Sequence, residues 1–161
     1  MIEDLTLGKA VDFAVETEKL GQHLYSRLAR RFKDDPELGG LFATLAADEE
    51  HHANHFAGLR ERVAKEPLSF DQQQYLRAVS VSEIFAESSL GKNPDKIETR
   101  EDALEQAFKL EGTTLSYYQA LKEIVQDDLI DEMIAEEKKH LLKVMSYMTT
   151  GAKVRGLGDS F

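Results

Sequence analysis

The sequence predicts an all-α protein that folds as a four-helix bundle. Only three prolines and ten glycines interrupt its 161 residues. They fall mostly between long segments in which apolar residues recur three and four positions apart, as on the buried face of a helix. Apolar residues make up 42% and charged residues 31% of the chain, which is ordinary for a globular domain. We therefore expect one domain over residues 1–150 and a C-terminal tail over residues 151–161.

The first predicted hairpin joins two long helices between about residues 6 and 65. Thr6 is the expected N-cap of a helix that runs to about Phe32, where the segment KDDPELGG breaks it. A second helix begins near Pro36 and ends by about Lys65. The stripes expected to face the core are Val11, Ala14, Glu18, Gly21, Tyr25 and Leu28 in the first helix and Leu41, Leu45, Glu49, His52, Phe56 and Leu59 in the second.

A crossover leads to the second predicted hairpin, which spans about residues 99–149. Residues 69–89 are less regular and predict a short helix within the crossover, before a loop with the sequence GKNPDK. A third long helix begins near Thr99, and QDD is the expected turn into the fourth. Their stripes are Leu104, Ala107, Glu111, Thr114, Tyr118 and Leu121, then Ile130, Met133, Glu137, His140 and Val144.

Ionisable residues interrupt each stripe near its middle, where the helical period calls for apolar side chains. Each histidine of this set follows a glutamate by three residues, so both side chains lie on one helix face, one turn apart. Antiparallel helices joined by short turns bring the four interruptions to a similar height in the bundle. We expect them to converge on one central site. The six residues are Glu18, Glu49, His52, Glu111, Glu137 and His140.

The two hairpins also repeat each other in sequence. AVETEKLGQHLYSRLA and AFKLEGTTLSYYQALK align at a constant offset that pairs Glu18 with Glu111 and Tyr25 with Tyr118. The segments DEEHH and EEKKH align in the same way. Each half therefore supplies one glutamate from its first helix and one Glu-x-x-His from its second, and the predicted site is nearly twofold symmetric.

Charge favours a pair of metal ions in this site. Burying four unpaired carboxylates is costly, because even one costs several kcal/mol, roughly. Two divalent cations balance four negative charges and leave the histidines as neutral ligands. Carboxylate and imidazole ligands suit iron best, with manganese or zinc as possible substitutes. The chain has no cysteine, which excludes thiolate sites. A single Glu-x-x-His would be better explained as a misphased surface pair, but two copies in matching halves are specific.

Other polar residues have less certain roles in the sequence. The hydroxyls of Tyr25 and Tyr118 are predicted either to donate hydrogen bonds to ligand carboxylates or simply to pack in the core. His51 is expected to face solvent. His55 is expected to be a satisfied core or boundary histidine, with a position at the edge of the site as the alternative. Glu16, Glu50 and Glu136 are expected to be charged side chains in contact with solvent.

These segments resemble the rubrerythrin-like di-iron proteins of the ferritin-like superfamily, in which E-x-x-G-x-x-x-Y and E-E-x-x-H-type segments recur. The matching stretches are 18–25, 48–52, 111–118 and 136–140. The resemblance implies a ferritin-like bundle with a catalytic di-iron centre. It implies that Glu49 and Glu137 bridge the two irons, that Glu18 and Glu111 are terminal ligands, and that His52 and His140 each complete one iron. Tyr25 and Tyr118 complete the predicted catalytic set.

The chain departs from the rubrerythrin pattern in two places. It cannot contain the cysteine-rich rubredoxin domain, so the resemblance implies an external electron donor, such as a rubredoxin or a reductase. Thr114 stands where rubrerythrins carry an extra glutamate. Haem is not expected, because Glu50 and His51 stand where bacterioferritin would place its haem methionine. The tail is too short for the fifth helix of a ferritin cage, so we expect a homodimer, and exchange of helices between its subunits is compatible with the sequence.

The resulting functional hypothesis is the reduction of hydrogen peroxide, or of dioxygen, to water. The alternatives are a ferroxidase or iron-sequestering protein, an oxidase of an organic substrate, and a purely structural metal site.

A net charge of −10 opposes binding to nucleic acid or anionic lipid. No apolar run is long enough to span a membrane, and the first residues, MIEDLTLGK, lack a secretory signal. We therefore expect a cytoplasmic protein.

Overall fold

The computed structural model of the protein describes residues 5–63, 65–80 and 96–152. Within these ranges it contains five α-helices, which confirms the all-α prediction. They are α1 (Leu7–Arg31), α2 (Pro36–Arg60), α3 (Phe70–Ala78), α4 (Arg100–Lys122) and α5 (Asp128–Ala152).

Four of the helices begin at a side chain that caps them. The oxygen of each capping residue accepts a hydrogen bond from the backbone N–H three residues further along, which satisfies a donor that has no partner within the helix. Pro36 fits the first turn of α2, since the N–H that proline lacks would have no intrahelical acceptor there. The capping residues are Thr6, Asp35, Ser69 and Thr99.

The four long helices pack as two hairpins. α1 lies along α2, and α4 lies along α5, while contacts between α1 and α4 and between α2 and α5 join the hairpins. The turn between α1 and α2 needs Gly39, because a Cβ there would lie 2.8 Å from the carbonyl oxygen of Phe32. Arg100 Nη1 lies 2.8 Å from Asp35 Oδ2 and so ties the start of α4 to this turn.

The end of α2 differs from the prediction. The helix ends at Arg60, not near Lys65, because the chain then turns to run antiparallel to the start of α1. Leu7 N donates to Glu66 O at 3.2 Å, and Leu68 N donates to Leu5 O at 2.9 Å. This backbone pairing is formed with a segment distant in sequence, so helical periodicity alone does not reveal it.

The predicted stripes form the core. The side chains of these stripes join one hydrophobic cluster, except for the six ionisable residues, Gly21 and Thr114. Leu5, Leu68 and Leu76 join the same cluster from outside the four long helices. The short helix predicted in the crossover is α3, which packs against α4. The loop GKNPDK lies outside the described residues except for Lys96, and the predicted tail does so beyond Ala152. Among the described residues, no helix is both long and apolar enough to cross a membrane.

Candidate metal centre

The bundle brings all six predicted ligand residues together in its interior. α1 contributes Glu18, α2 contributes Glu49 and His52, α4 contributes Glu111, and α5 contributes Glu137 and His140. None of the six is more than 5% exposed. Side chains that normally require water therefore lie at core positions of four helices, surrounded by apolar residues of the same stripes.

Two carboxylates span the centre of the cluster. Glu137 Oε1 lies 3.0 Å from His52 Nδ1, and Glu137 Oε2 lies 3.8 Å from His140 Nδ1. Glu49 has the same relation to the two histidines, at 3.2 Å and 3.9 Å. One ligand atom from each of these four residues lies within 4.8 Å of the others. The arrangement is that of two bridging carboxylates between two imidazoles.

The remaining two glutamates flank the centre, one on each side. Glu18 Oε2 lies 3.6 Å from His52 Nδ1, whereas Glu111 Oε2 lies 3.5 Å from His140 Nδ1. Each half of the cluster therefore has one histidine and one flanking carboxylate from the same hairpin, and shares the two central carboxylates with the other half.

Two buried tyrosines hold the flanking carboxylates, and they do so across the hairpins. The hydroxyl of Tyr25 donates to Glu111 Oε1, and the hydroxyl of Tyr118 donates to Glu18 Oε1. Burial, together with the neighbouring carboxylates, raises the pKa of both tyrosines well above 10.0. Both hydroxyls therefore stay protonated and remain hydrogen-bond donors, so the first of the two roles considered for them is observed.

Removing either hydroxyl is expected to weaken metal binding while leaving the bundle folded. Tyr25→Phe and Tyr118→Phe each leave a buried carboxylate oxygen without its donor, and loss of such a supporting partner lowers metal affinity about tenfold. Tyr117→Phe is the matched control, because it removes a buried hydroxyl that bonds to a backbone carbonyl oxygen, that of Ala10, at 2.6 Å. Titration with Co²⁺ measures the three affinities. Equal losses in all three variants would contradict the assigned role.

Asp48 supports His140 from the outer side of the cluster. Its Oδ2 lies 3.2 Å from His140 Nε2, while Nδ1 of the same ring points into the cluster. A ligand histidine usually donates its second N–H to a carboxylate in this way, which fixes the ring and its tautomer. Asp48 is not among the predicted site residues. Its only signal was an acidic side chain next to Glu49, and its partner lies on a different helix.

Substitution of Asp48 is expected to lower metal affinity by roughly 10–100-fold, because the His140 ring loses the acceptor that orients it. Glu136→Ala is the control for Asp48→Ala, since Glu136 occupies the equivalent position of the second hairpin but pairs with Lys139 Nζ at 2.6 Å. Competition of each variant with a chelator of known affinity measures the change. An unchanged affinity in the Asp48 variant would show that the contact does not support a ligand.

Without metal, the cluster holds more negative charge than it can neutralise. Burial and the neighbouring glutamates raise the pKa of both Glu49 and Glu137 well above 4.5. Burial lowers the pKa of His52, but the nearby carboxylates of Glu137 and Glu18 outweigh it and bring that pKa from 6.5 to about 10. Protons thus replace part of the missing positive charge in the metal-free protein.

The unpaired atoms of the cluster fit metal ions. Native proteins rarely leave buried polar atoms without a hydrogen-bond partner, yet six such atoms lie together in this cluster. All are carboxylate oxygens or imidazole nitrogens, the donor types that bind iron and manganese. They are Glu49 Oε2, His52 Nδ1, Glu111 Oε2, both carboxylate oxygens of Glu137, and His140 Nδ1.

Small residues shape the two sides of the cluster differently. A Cβ at Gly21 would lie 3.3 Å from Glu49 Oε1, so the missing side chain gives the carboxylate its space. The equivalent residue of the second hairpin is Thr114, which is also buried. The internal symmetry of the site is therefore broken at this pair of positions.

The remaining polar residues singled out in the sequence lie outside the cluster. Glu16, Glu50 and His51 are exposed, as expected. The prediction for His55 was wrong, because its side chain is exposed and its ring lies 5.2 Å from that of His51, centroid to centroid.

Comparison with known proteins points to one family. Residues 9–98, more than half of the chain, match the family model described as Rubrerythrin. The match covers α1, α2 and α3, and therefore the first half of the cluster. A search of curated proteins and a search of solved structures returned no match.

Proposed function

The chain belongs to the rubrerythrin family, and from this premise we propose that it is a non-haem di-iron redox protein. Its proposed reaction is the reduction of hydrogen peroxide to water with electrons from an external donor. The observation that carries the proposal is the symmetric cluster of four glutamates and two histidines, in which six buried carboxylate oxygens and imidazole nitrogens have no hydrogen-bond partner.

In this proposal each residue has a defined role. Glu49 and Glu137 would bridge the two irons, because each has one oxygen near each histidine. One iron would be completed by Glu18 and His52 from the first hairpin. The other would be completed by the equivalent pair from the second hairpin, Glu111 and His140.

The proposed reaction balances with two electrons. Hydrogen peroxide accepts two electrons and two protons, its O–O bond breaks, and two water molecules form. When bound, the irons supply these two electrons by passing from the ferrous to the ferric state, and an external donor such as a rubredoxin or reductase restores them. The 161 residues contain no cysteine for an iron–sulfur or rubredoxin-type centre, and the proposal therefore assigns electron supply to a separate molecule.

The protein itself contributes rigidity and exclusion of water. The protonated hydroxyls of Tyr25 and Tyr118 keep one oxygen of each flanking glutamate occupied, which leaves the other oxygen directed towards a histidine. Asp48 fixes the ring of His140. Buried apolar side chains surround the cluster, so its charges interact strongly and its geometry is fixed before any oxidant arrives.

The decisive test is anaerobic titration of the diferrous protein with hydrogen peroxide. We expect rapid oxidation that is complete at one peroxide for each pair of irons. The change in absorbance measures this oxidation. Glu137→Gln reconstituted in the same way is the control for iron bound elsewhere. Slow oxidation, or oxidation no faster than that of the control, would refute the peroxide reaction.

Iron oxidation for storage is the second candidate, and Thr114 is the observation that favours it. The residue is buried, one helical turn after Glu111, at the position where rubrerythrins carry an additional carboxylate. Iron stoichiometry separates the candidates, because sequestration requires many ferric ions per subunit whereas the peroxidase retains two and turns over.

A further inference from the structure

Two histidines form an exposed pair on the outer face of α2. His51 and His55 are four residues apart, so they lie one turn apart on the same face of the helix. Both side chains are exposed, and their ring centroids are 5.2 Å apart. The cluster in the core does not include either residue.

The spacing of this pair suits a metal ion. Two histidines at positions i and i+4 of a helix can present one nitrogen each to the same ion. Neutral imidazole binds divalent first-row metals, including iron and zinc. Because the pair is exposed, the remaining coordination positions are open to water or to a third protein ligand.

Asp48 lies beside the pair and connects it to the core. It lies one turn before His51 on the same face of α2, and its side chain is 48% exposed. On its inner side, Asp48 Oδ2 contacts His140 Nε2 at 3.2 Å. Side chains of types that can bind metals therefore lie in a row from the surface of α2 to a residue of the buried cluster.

The second hairpin carries positively charged side chains at the equivalent positions. The alignment that pairs Glu49 with Glu137 also pairs His51 with Lys139 and His55 with Lys143, and both lysines are exposed. Ammonium groups repel a metal cation and have no lone pair to donate. Only the first hairpin presents such a face, so approach of cations to the cluster is expected from one side.

We propose that Asp48, His51 and His55 form a surface site that captures a divalent transition metal ion and passes it to the buried cluster. Binding of the metal ion at the surface requires these three residues and no residue of the buried cluster. Delivery rests on the proposed function, because it requires a buried site that takes metal. Once an ion is captured, its transfer becomes an intramolecular step at high effective concentration.

Chromatography of the untagged protein on immobilised Ni²⁺ tests the surface site without involving the core, which the immobilised ion cannot enter. We expect the wild type to be retained, and His51→Ala and His55→Ala to elute early. His23→Ala is the matched control, because His23 is the one other exposed histidine in the chain and should not affect retention. An unretained wild type, or equal retention of all variants, would overturn the surface site.

Stopped-flow loading of the metal-free protein with Co²⁺ tests delivery. The double variant His51→Ala/His55→Ala should fill the buried site at least about tenfold more slowly than the wild type and reach the same final stoichiometry. An unchanged rate would overturn delivery. If the wild type itself takes up no buried metal, the proposed di-iron function fails instead, while the chromatography still decides whether the surface site exists.

Discussion

Glu137→Gln is expected to abolish binding of the metal pair while leaving the metal-free protein at least as stable as the wild type. Glu137 is fully buried, and its two oxygens face different histidines. An amide of the same shape removes one negative charge from a group of four carboxylates that two histidines cannot neutralise. The same charge is required for the metals, so their affinity should fall by more than about 100-fold.

Thermal unfolding with and without metal measures both effects. At a free metal concentration about 1,000 times the dissociation constant, the wild type should gain about 4 kcal/mol of stability, and the variant should gain almost none. Glu136→Gln is the control, because this neighbouring glutamate is only partly buried and bonds to Lys139. Full metal stabilisation of the Glu137 variant would contradict a bridging role for this carboxylate.

The stability of the metal-free protein is expected to fall as pH rises, and metal should reverse this trend. The folded-state pKa values of Glu49 and Glu137 are raised above 4.5. Folding therefore takes up protons above that pH. The stability that these protons provide is fully present below pH 4.5 and is lost as pH rises through the raised pKa values. His52 acts in the same direction, with stability lost between 6.5 and about 10. Each retained proton contributes a slope of up to about 1.4 kcal/mol per pH unit.

Denaturant unfolding at several pH values, from about 5 to about 8, measures this slope. Glu49→Gln/Glu137→Gln is the comparison protein, because it lacks the two carboxyl groups and should have a much flatter profile. With metal, the wild type should become more stable as pH rises, since metal binding displaces the protons. Parallel profiles for the metal-free wild type and the double variant would show that the two carboxyl groups do not titrate abnormally.

Much of the fold was predictable because the core pattern is local. Residues such as Val11, Leu45 and Leu121 recur at the helical period and are buried where that period places them. The burial of the polar cluster was predictable for the same reason, since Glu18 and Glu111 occupy core positions of their stripes. Whether these residues bind iron stays a prediction that metal analysis must test.

The features that the sequence did not reveal all depend on contacts between distant segments. The end of α2 is determined by backbone pairing of Glu66 and Leu68 with the start of the chain. Asp48 has a role only because α5 places His140 beside it. His55 lies at the edge of its helical stripe, where periodicity does not distinguish a boundary position from an exposed one.

The crossed hydrogen bonds of the two tyrosines bear on how such a chain could have arisen. Tyr25 of the first hairpin holds Glu111 of the second, and Tyr118 of the second holds Glu18 of the first. This relation is isologous, as in a twofold dimer in which each copy makes the same hydrogen bond to the other. Two copies of one ancestral hairpin could therefore have formed the same bonds before gene fusion. After fusion, a substitution in either tyrosine alters the environment of a carboxylate in the other half, so each tyrosine and its glutamate are expected to change together.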